Sequence, residues 1–135
     1  MSDFATTRRA AVAAEAAPDG ARVRPLARLA GASVAEFELA PGQTSCAVVH
    51  RTIDEIWTVL AGRGELWRRQ GAREETVALE PGVCLTIPCG THFQYRALGA
   101  EPLRVLGVSL PPWPGADEAR LVEGPWAPSA DPAQI

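Results

Sequence analysis

The chain has 135 residues, of which 47% are hydrophobic and 21% are charged, and its net charge is −3. This length suits one domain that buries enough apolar surface to fold without disulfides. The negative net charge excludes the usual nucleic-acid-binding protein, which needs excess positive charge to neutralise phosphates. All thirteen basic residues are Arg, so chemistry that depends on a lysine amine is excluded as well.

The cysteines and the apolar runs indicate in which cellular compartment the protein resides. Cys46, Cys84 and Cys89 form no CxxC pair, which fits neither a disulfide framework nor a structural zinc site and favours a reducing compartment. No apolar run approaches the length that spans a bilayer, and the first residues fit a signal peptide poorly. We therefore expect a cytoplasmic protein with no membrane partner.

Residues 5–17 contain the one helix candidate, since Ala, Arg and Glu are good helix formers, but a frayed tail fits them equally well. Pro18-Asp19-Gly20 is a turn signal. Short runs between Pro and Gly turns then predict strands at 23–29, 34–39, 45–50, 55–60, 65–68, 76–79, 83–87, 92–98 and 103–110, with a hairpin loop at 69–75. Pro25 marks the first of these as an edge or bulged strand. The pattern predicts an all-β sandwich or barrel.

The character of the chain changes after Leu110. Residues 111–135 are rich in proline, which cannot join a sheet interior, and they contain Trp113 and Trp126. Two large aromatic anchors predict that this tail packs on the barrel as a lid or a dimer contact. The expected organisation is an arm or short helix at 1–20, a barrel at 21–110 and the tail at 111–135.

Two glycine-bounded blocks carry the chemistry of the chain. The first has the spacing Gly-x7-His-x4-Glu-x6-Gly and consists of Gly42, His50, Glu55 and Gly62. The second runs Gly82-x5-Pro88-x-Gly90, followed at once by His92. The pair of blocks resembles the cupin family over residues 42–97. The resemblance implies a small single-domain protein with a double-stranded β-helix, or jelly-roll, barrel and a site in its mouth.

In the cupin pattern, two His of the first block, its Glu and a His of the second block hold a divalent metal. These ligands suit Fe, Mn, Ni, Cu or Zn. Here His50 and Glu55 fill two positions, whereas Val48 and Phe93 stand where the family has His. His92 is one residue out of register, and such an offset turns a strand side chain to the other face unless a bulge intervenes. The resemblance therefore implies His50, Glu55 and, conditionally, His92 as metal ligands.

Strand alternation predicts which side chains line the pocket, because residues two apart face the same side of a strand. Beside His50 and Glu55, this predicted lining consists of Cys46, Val48, Trp57, Phe93 and Tyr95.

Two functions remain open for such a pocket. One is metal-assisted chemistry of the isomerase, epimerase or oxygenase type, with His50 and Glu55 as catalytic residues. The alternative is a metal-free, non-catalytic ligand-binding or sensing barrel, in which the same two side chains hydrogen-bond a small organic molecule. Val48 and Phe93 favour an apolar lining in either case.

Exposed strand edges and the Trp-bearing tail predict a homodimer, which the family resemblance also implies. Light scattering of the purified protein is then expected to give about twice the 14.3 kDa mass of one chain. A mass that stays at one chain at high protein concentration would contradict this prediction.

Overall fold

The computed structural model describes residues 3–130, which form eleven β-strands and two 3-10 turns. The strands are Glu15–Ala16 (β1), Arg22–Arg28 (β2), Ser33–Leu39 (β3), Val48–His50 (β4), Asp54–Ala61 (β5), Gly64–Gln70 (β6), Arg73–Leu79 (β7), Cys84–Ile87 (β8), His92–Ala97 (β9), Leu103–Leu110 (β10) and Ala119–Leu121 (β11). The 3-10 turns are Arg9–Ala11 and Ala116–Glu118. Within residues 3–130, no helix has the length and apolar character needed to cross a membrane.

The strands form two antiparallel sheets. One has the order β1-β2-β3-β10-β5-β8 and the other the order β11-β4-β9-β6-β7. Side chains from both sheets meet between them: Trp57 of β5 packs edge-to-face on Phe93 and Tyr95 of β9. The all-β, jelly-roll barrel predicted from the sequence is confirmed, and its interior is the hydrophobic core.

The two-residue period of the strands decides which residues enter this core. Along β5, Glu55, Trp57 and Val59 are buried, whereas Ile56 and Leu60 are exposed on the outer face. This alternation is what a pleated strand with one covered face requires. The same pleat that buries the apolar residues therefore carries Glu55 into the barrel.

The N-terminal arm is extended rather than helical. Within residues 3–17 the single helical turn is Arg9–Ala11, and Glu15–Ala16 pairs with β2. Arg9 donates from Nε to both carboxylate oxygens of the buried Glu36, at 2.9 and 2.7 Å. Tertiary contacts thus override a modest helix propensity, as is common for a segment too short to form a stable helix alone.

Several strand bounds differ from the predicted ones. The hairpin loop predicted at 69–75 is reduced to a tight turn around Gly71, because β6 and β7 pair as far as Gln70 and Arg73. The charged side chains there pair across the strands, with Arg68 Nη2 donating to Glu75 Oε1 at 2.7 Å. β2 is bulged after Pro25, as that proline predicted.

The C-terminal segment lies against the barrel as far as residue 130. β11 pairs with β4, and the backbone of Trp126 exchanges hydrogen bonds with the side chain of Gln94. The guanidinium carbon of Arg96 lies 4.1 Å from the Trp126 ring centroid. The predicted tail continues to residue 135, but residues 131–135 lie outside the described part of the chain.

Gly107 lies in the middle of β10, opposite Ala35 and Trp57 on the neighbouring strands. The Phe37 ring occupies the space beside it, since a Cβ on Gly107 would stand 2.3 Å from Phe37 Cε2. Gly107 is therefore needed for the packing of Phe37 against Trp57, whose ring centroids are 5.6 Å apart.

We expect Gly107→Ala to lower the free energy of unfolding by about 1–3 kcal/mol, because the added methyl overpacks the core. Urea denaturation measures the effect. Gly31→Ala is the matched control, since no atom lies within 4 Å of a Cβ at that position. Equal stabilities of the two variants would contradict the packing argument.

Candidate functional site

His50 and Glu55 come together because a three-residue loop joins the end of β4 to the start of β5. His50 Nδ1 lies 3.5 Å from Glu55 Oε1. The loop is held by Glu118, whose Oε1 accepts hydrogen bonds from the backbone N–H groups of Thr52 at 2.6 Å and Ile53 at 2.8 Å. The pair is thus fixed by a buried carboxylate from the C-terminal segment.

Burial determines the protonation of this pair. Burial raises the pKa of Glu55 to about 8, and the nearby charges of Asp19 and Glu118 act in the same direction. Ser109 Oγ donates to Glu55 Oε2 at 3.2 Å. Burial also lowers the pKa of His50 to about 4. At neutral pH the site therefore holds a protonated carboxyl group beside a neutral imidazole.

Apolar side chains fill the two positions at which the cupin pattern has further His ligands. Val48 and Phe93 are direct cross-strand partners between β4 and β9, and each is only 1% exposed. The Phe93 ring meets the His50 ring edge-on, with 5.2 Å between the centroids. The surroundings of His50 are consequently dry and aromatic on this side.

Trp57 is the centre of an aromatic cluster in the barrel interior. Its ring centroid lies 4.9 Å from that of Tyr95, 5.6 Å from that of Phe37 and 5.7 Å from that of Phe93. Such tilted and edge-to-face contacts are the favoured geometry of aromatic pairs. Trp57, Phe93 and Tyr95 therefore lie on the interior side that strand alternation predicted for them.

Three buried polar atoms in this interior lack a well-formed hydrogen bond: His50 Nδ1, Trp57 Nε1 and Tyr95 Oη. Glu55 is the nearest polar group to two of them, since its Oε1 lies 3.5 Å from His50 Nδ1 and its carboxyl also interacts with the Trp57 side chain. His50, Trp57 and Tyr95 are 6%, 1% and 0% exposed, respectively. Burial raises the pKa of Tyr95 well above its ordinary value, so its hydroxyl remains a donor at neutral pH. Because an unpaired buried polar group is costly and uncommon, this cluster resembles an incomplete binding site more than an ordinary core.

The structure does not bring His92 to the other two candidate ligands. The pairing of β9 with β4 and β6 runs through His92 without a bulge, so its side chain keeps the outer face of the sheet. There its Nδ1 lies 3.2 Å from Nη2 of Arg69. Cys46 is buried, and its Sγ lies 3.7 Å from the carbonyl oxygen of Ala130 in the C-terminal segment.

The residues present do not fit a divalent metal. Only His50 and Glu55 stand together, and a functional centre needs at least three protein ligands. Val48 and Phe93 offer no donor atom at the remaining positions. Among residues 3–130, no three His, Cys, Asp or Glu side chains are grouped so that they could hold a metal ion.

The structure adds three contacts to the site that the sequence analysis did not predict. Ser109 lies directly opposite Glu55 on β10, and its inward position follows the alternation of that strand. Asp19 belongs to a turn signal and is nevertheless buried. The Trp113 ring meets His50 edge-on, at 5.6 Å between centroids. The sequence did not predict that Asp19 and Trp113 lie near His50 and Glu55, because both residues lie outside the two glycine-bounded blocks.

Solved structures of similar fold support the same architecture. A double-stranded β-helix protein of Klebsiella pneumoniae is 21% identical, with a TM-score of 0.63, covering 77% of this chain and 85% of its own. KdgF of a Halomonas species is 19% identical, with a TM-score of 0.68 and coverages of 79% and 94%. Oxalate decarboxylase of Bacillus subtilis is 17% identical, with a TM-score of 0.65, and the match covers 73% of this chain and 28% of that one. At these identities the likeness concerns the fold alone.

No curated protein matches the chain in sequence. The family model of the cupin domain, by contrast, matches residues 35–109, which include both glycine-bounded blocks and every strand that carries the site. With its barrel, its motif spacing and this match, the chain belongs to the cupin family.

Proposed function

We propose that this cupin binds a small, uncharged organic molecule beside His50 and Glu55, without a metal. The observation that carries the proposal is the set of unpartnered polar atoms on His50, Trp57 and Tyr95. A ligand that accepts from the Trp57 N–H and the Tyr95 O–H, and meets His50 Nδ1, would satisfy all three. Apolar walls with a few convergent polar groups are typical of small-molecule sites.

The charges of the chain support an uncharged ligand. None of the thirteen Arg, all within residues 3–130, is buried, so no guanidinium can neutralise an anion in the barrel. Burial keeps His50 neutral. A carboxylate or phosphate brought next to the buried Glu55 and Asp19 would lose its hydration without gaining a counter-charge. A protonated Glu55, in contrast, can donate its O–H to a neutral acceptor such as an amide or ketone.

The same pair favours a second candidate function, which is proton transfer on the bound molecule. A protonated Glu55 and a neutral His50 provide a general acid and a general base 3.5 Å apart. This arrangement suits an isomerisation in which a proton leaves one atom of the ligand and returns to another. Deuterium incorporation into a bound ligand in heavy water would distinguish turnover from binding alone.

Calorimetric titration with paired amides and carboxylates tests the binding proposal. We expect benzamide and butyramide to bind more tightly than benzoate and butyrate. His50→Ala and Tyr95→Phe are each expected to weaken binding of the amides about fivefold or more, as loss of one hydrogen bond does. His92→Ala is the matched control, because His92 lies on the outer face.

Binding of the carboxylates alone would contradict the proposal, as would equal effects of the His50 and His92 variants. Metal analysis provides a second test, on protein incubated with Fe, Mn, Ni, Cu and Zn in turn. Near-stoichiometric metal that is lost in His50→Ala and retained in His92→Ala would establish the metal-assisted alternative instead.

The raised pKa of Glu55 gives a pH-dependent prediction. The unfolded chain releases this proton near the ordinary value of 4.5, whereas the folded protein retains it up to about 8. The contribution of Glu55 to stability is therefore expected to fall as the pH rises from 4.5 through 8 and to level off above that range. The lowered pKa of His50 acts in the opposite direction below 6.5, so the Glu55 contribution is measured by comparing variants at each pH. Glu55→Gln should be more stable than the wild type by about 2–4 kcal/mol at pH 8 and nearly equal at pH 4.5.

Urea denaturation at the two pH values measures this difference. Glu101→Gln, at an exposed site, is the control for the loss of one negative charge. A Glu55→Gln variant that is less stable than the wild type at pH 8 would show that the folded protein stabilises an ionised Glu55.

A further inference from the structure

We propose that the indole ring of Trp113 occupies the ligand position, so that the site takes a flat aromatic molecule, which enters by displacing this ring. The inference rests on the proposed function, which supplies the existence of a ligand. It adds the chemical class of that ligand and the way in which the ligand enters the site. It concerns the segment from Pro111 to Glu118, which we name the strap.

The position of Trp113 is the first observation. Its ring meets the imidazole of His50 at 5.6 Å and 73°, which is an edge contact between two aromatic rings. It packs against the core while remaining partly exposed. Phe93 meets the same imidazole edge-on from another side. The chain therefore already places one heteroaromatic ring against the imidazole of His50.

The strap is attached firmly at its ends and weakly in the middle. It begins at the end of β10 and ends at Glu118, which accepts from both backbone and side chain of Thr52. Between these points, two hydrogen bonds hold the Trp113 backbone: its N–H donates to Ser33 Oγ at 2.9 Å, and its carbonyl accepts from Arg28 Nη1 at 2.8 Å. Releasing Trp113 would break these two hydrogen bonds and would expose the ring that packs against His50 and the core.

The chemistry of the surrounding groups defines the ligand class. A flat ring in place of the indole would keep the edge contact with His50, which an aliphatic chain would not. No Arg within residues 3–130 is buried, so no guanidinium could neutralise a negative charge on the ring. An uncharged aromatic or heteroaromatic ring satisfies both conditions.

The second Trp of the C-terminal segment provides an internal comparison. Trp126 is covered by the Arg96 guanidinium, and both of its backbone polar groups bond to Gln94. Its contacts are therefore satisfied on the outer face of β9, away from the unpartnered atoms. Only Trp113 has the position of a ligand substitute.

Indole is the probe for the experiment, because it reproduces the displaced ring and its N–H can donate to His50 Nδ1. It has no acceptor for the Trp57 and Tyr95 donors, so it tests the ring position alone. Calorimetric titration of Trp113→Ala with indole is expected to show one site per chain, bound at least about tenfold more tightly than in the wild type, whose own ring competes. Adding His50→Ala to this variant should remove the gain. Trp126→Ala is the matched control, and its affinity for indole should equal that of the wild type.

A second variant leaves all four Trp residues in place. Arg28→Ala combined with Ser33→Ala removes both hydrogen bonds to the Trp113 backbone and should raise the affinity for indole about threefold or more, because the closed state is then less populated. This experiment still tests the inference if Trp113→Ala does not fold.

Three outcomes overturn the inference. One is equal affinity of Trp113→Ala and the wild type for indole, and another is a gain that survives His50→Ala. The third is a double variant, Arg28→Ala with Ser33→Ala, that binds indole no better than the wild type. The proposed function is tested separately by the binding of amides. If the wild type binds amides through His50 while these variants bind indole no better, the proposed function is retained and the role of Trp113 is wrong.

Discussion

The burial of Glu55 in an interior without a fixed positive charge is the constraint on which the rest of the site depends. A buried carboxylate without a counter-charge is too costly, so the group keeps its proton and its pKa rises. A protonated Glu55 donates rather than only accepts, and it lies 3.5 Å from His50 Nδ1 without charging the imidazole. The proposed preference for neutral ligands follows from this protonation and from the lack of a buried Arg within residues 3–130.

Strand register explains why the pocket is apolar where related motifs have ligands. Val48 and Phe93 face each other across β4 and β9 inside the barrel, whereas His92, one residue earlier, faces outward to Arg69. A bulge would have been needed to turn His92 inward, and the β9 pairings contain none at that position. The difference between a three-ligand centre and a two-residue acid–base pair is therefore a matter of one register position.

Much of the fold and part of the site could be predicted from the sequence, because both depend on local patterns. Glycine spacing and two-residue alternation placed Glu55, Trp57, Phe93 and Tyr95 on the interior side. The same rules could not find Trp113, which reaches His50 through a proline-rich segment with no periodicity. They also misjudged residues 5–17 as a helix candidate, because the contact between Arg9 and Glu36 spans 27 residues of sequence and no local propensity encodes it.

The C-terminal segment connects the stability of the barrel to the chemistry of its mouth. Glu118 binds the backbone of Thr52 and Ile53 in the loop between His50 and Glu55, so the strap that carries Trp113 also fixes the spacing of the pair. The bonds of Glu118 lie beyond Gly115, whose φ of +149° is a conformation that favours glycine. In the proposed displacement of the Trp113 ring, this second attachment would remain and would keep His50 and Glu55 at their present spacing.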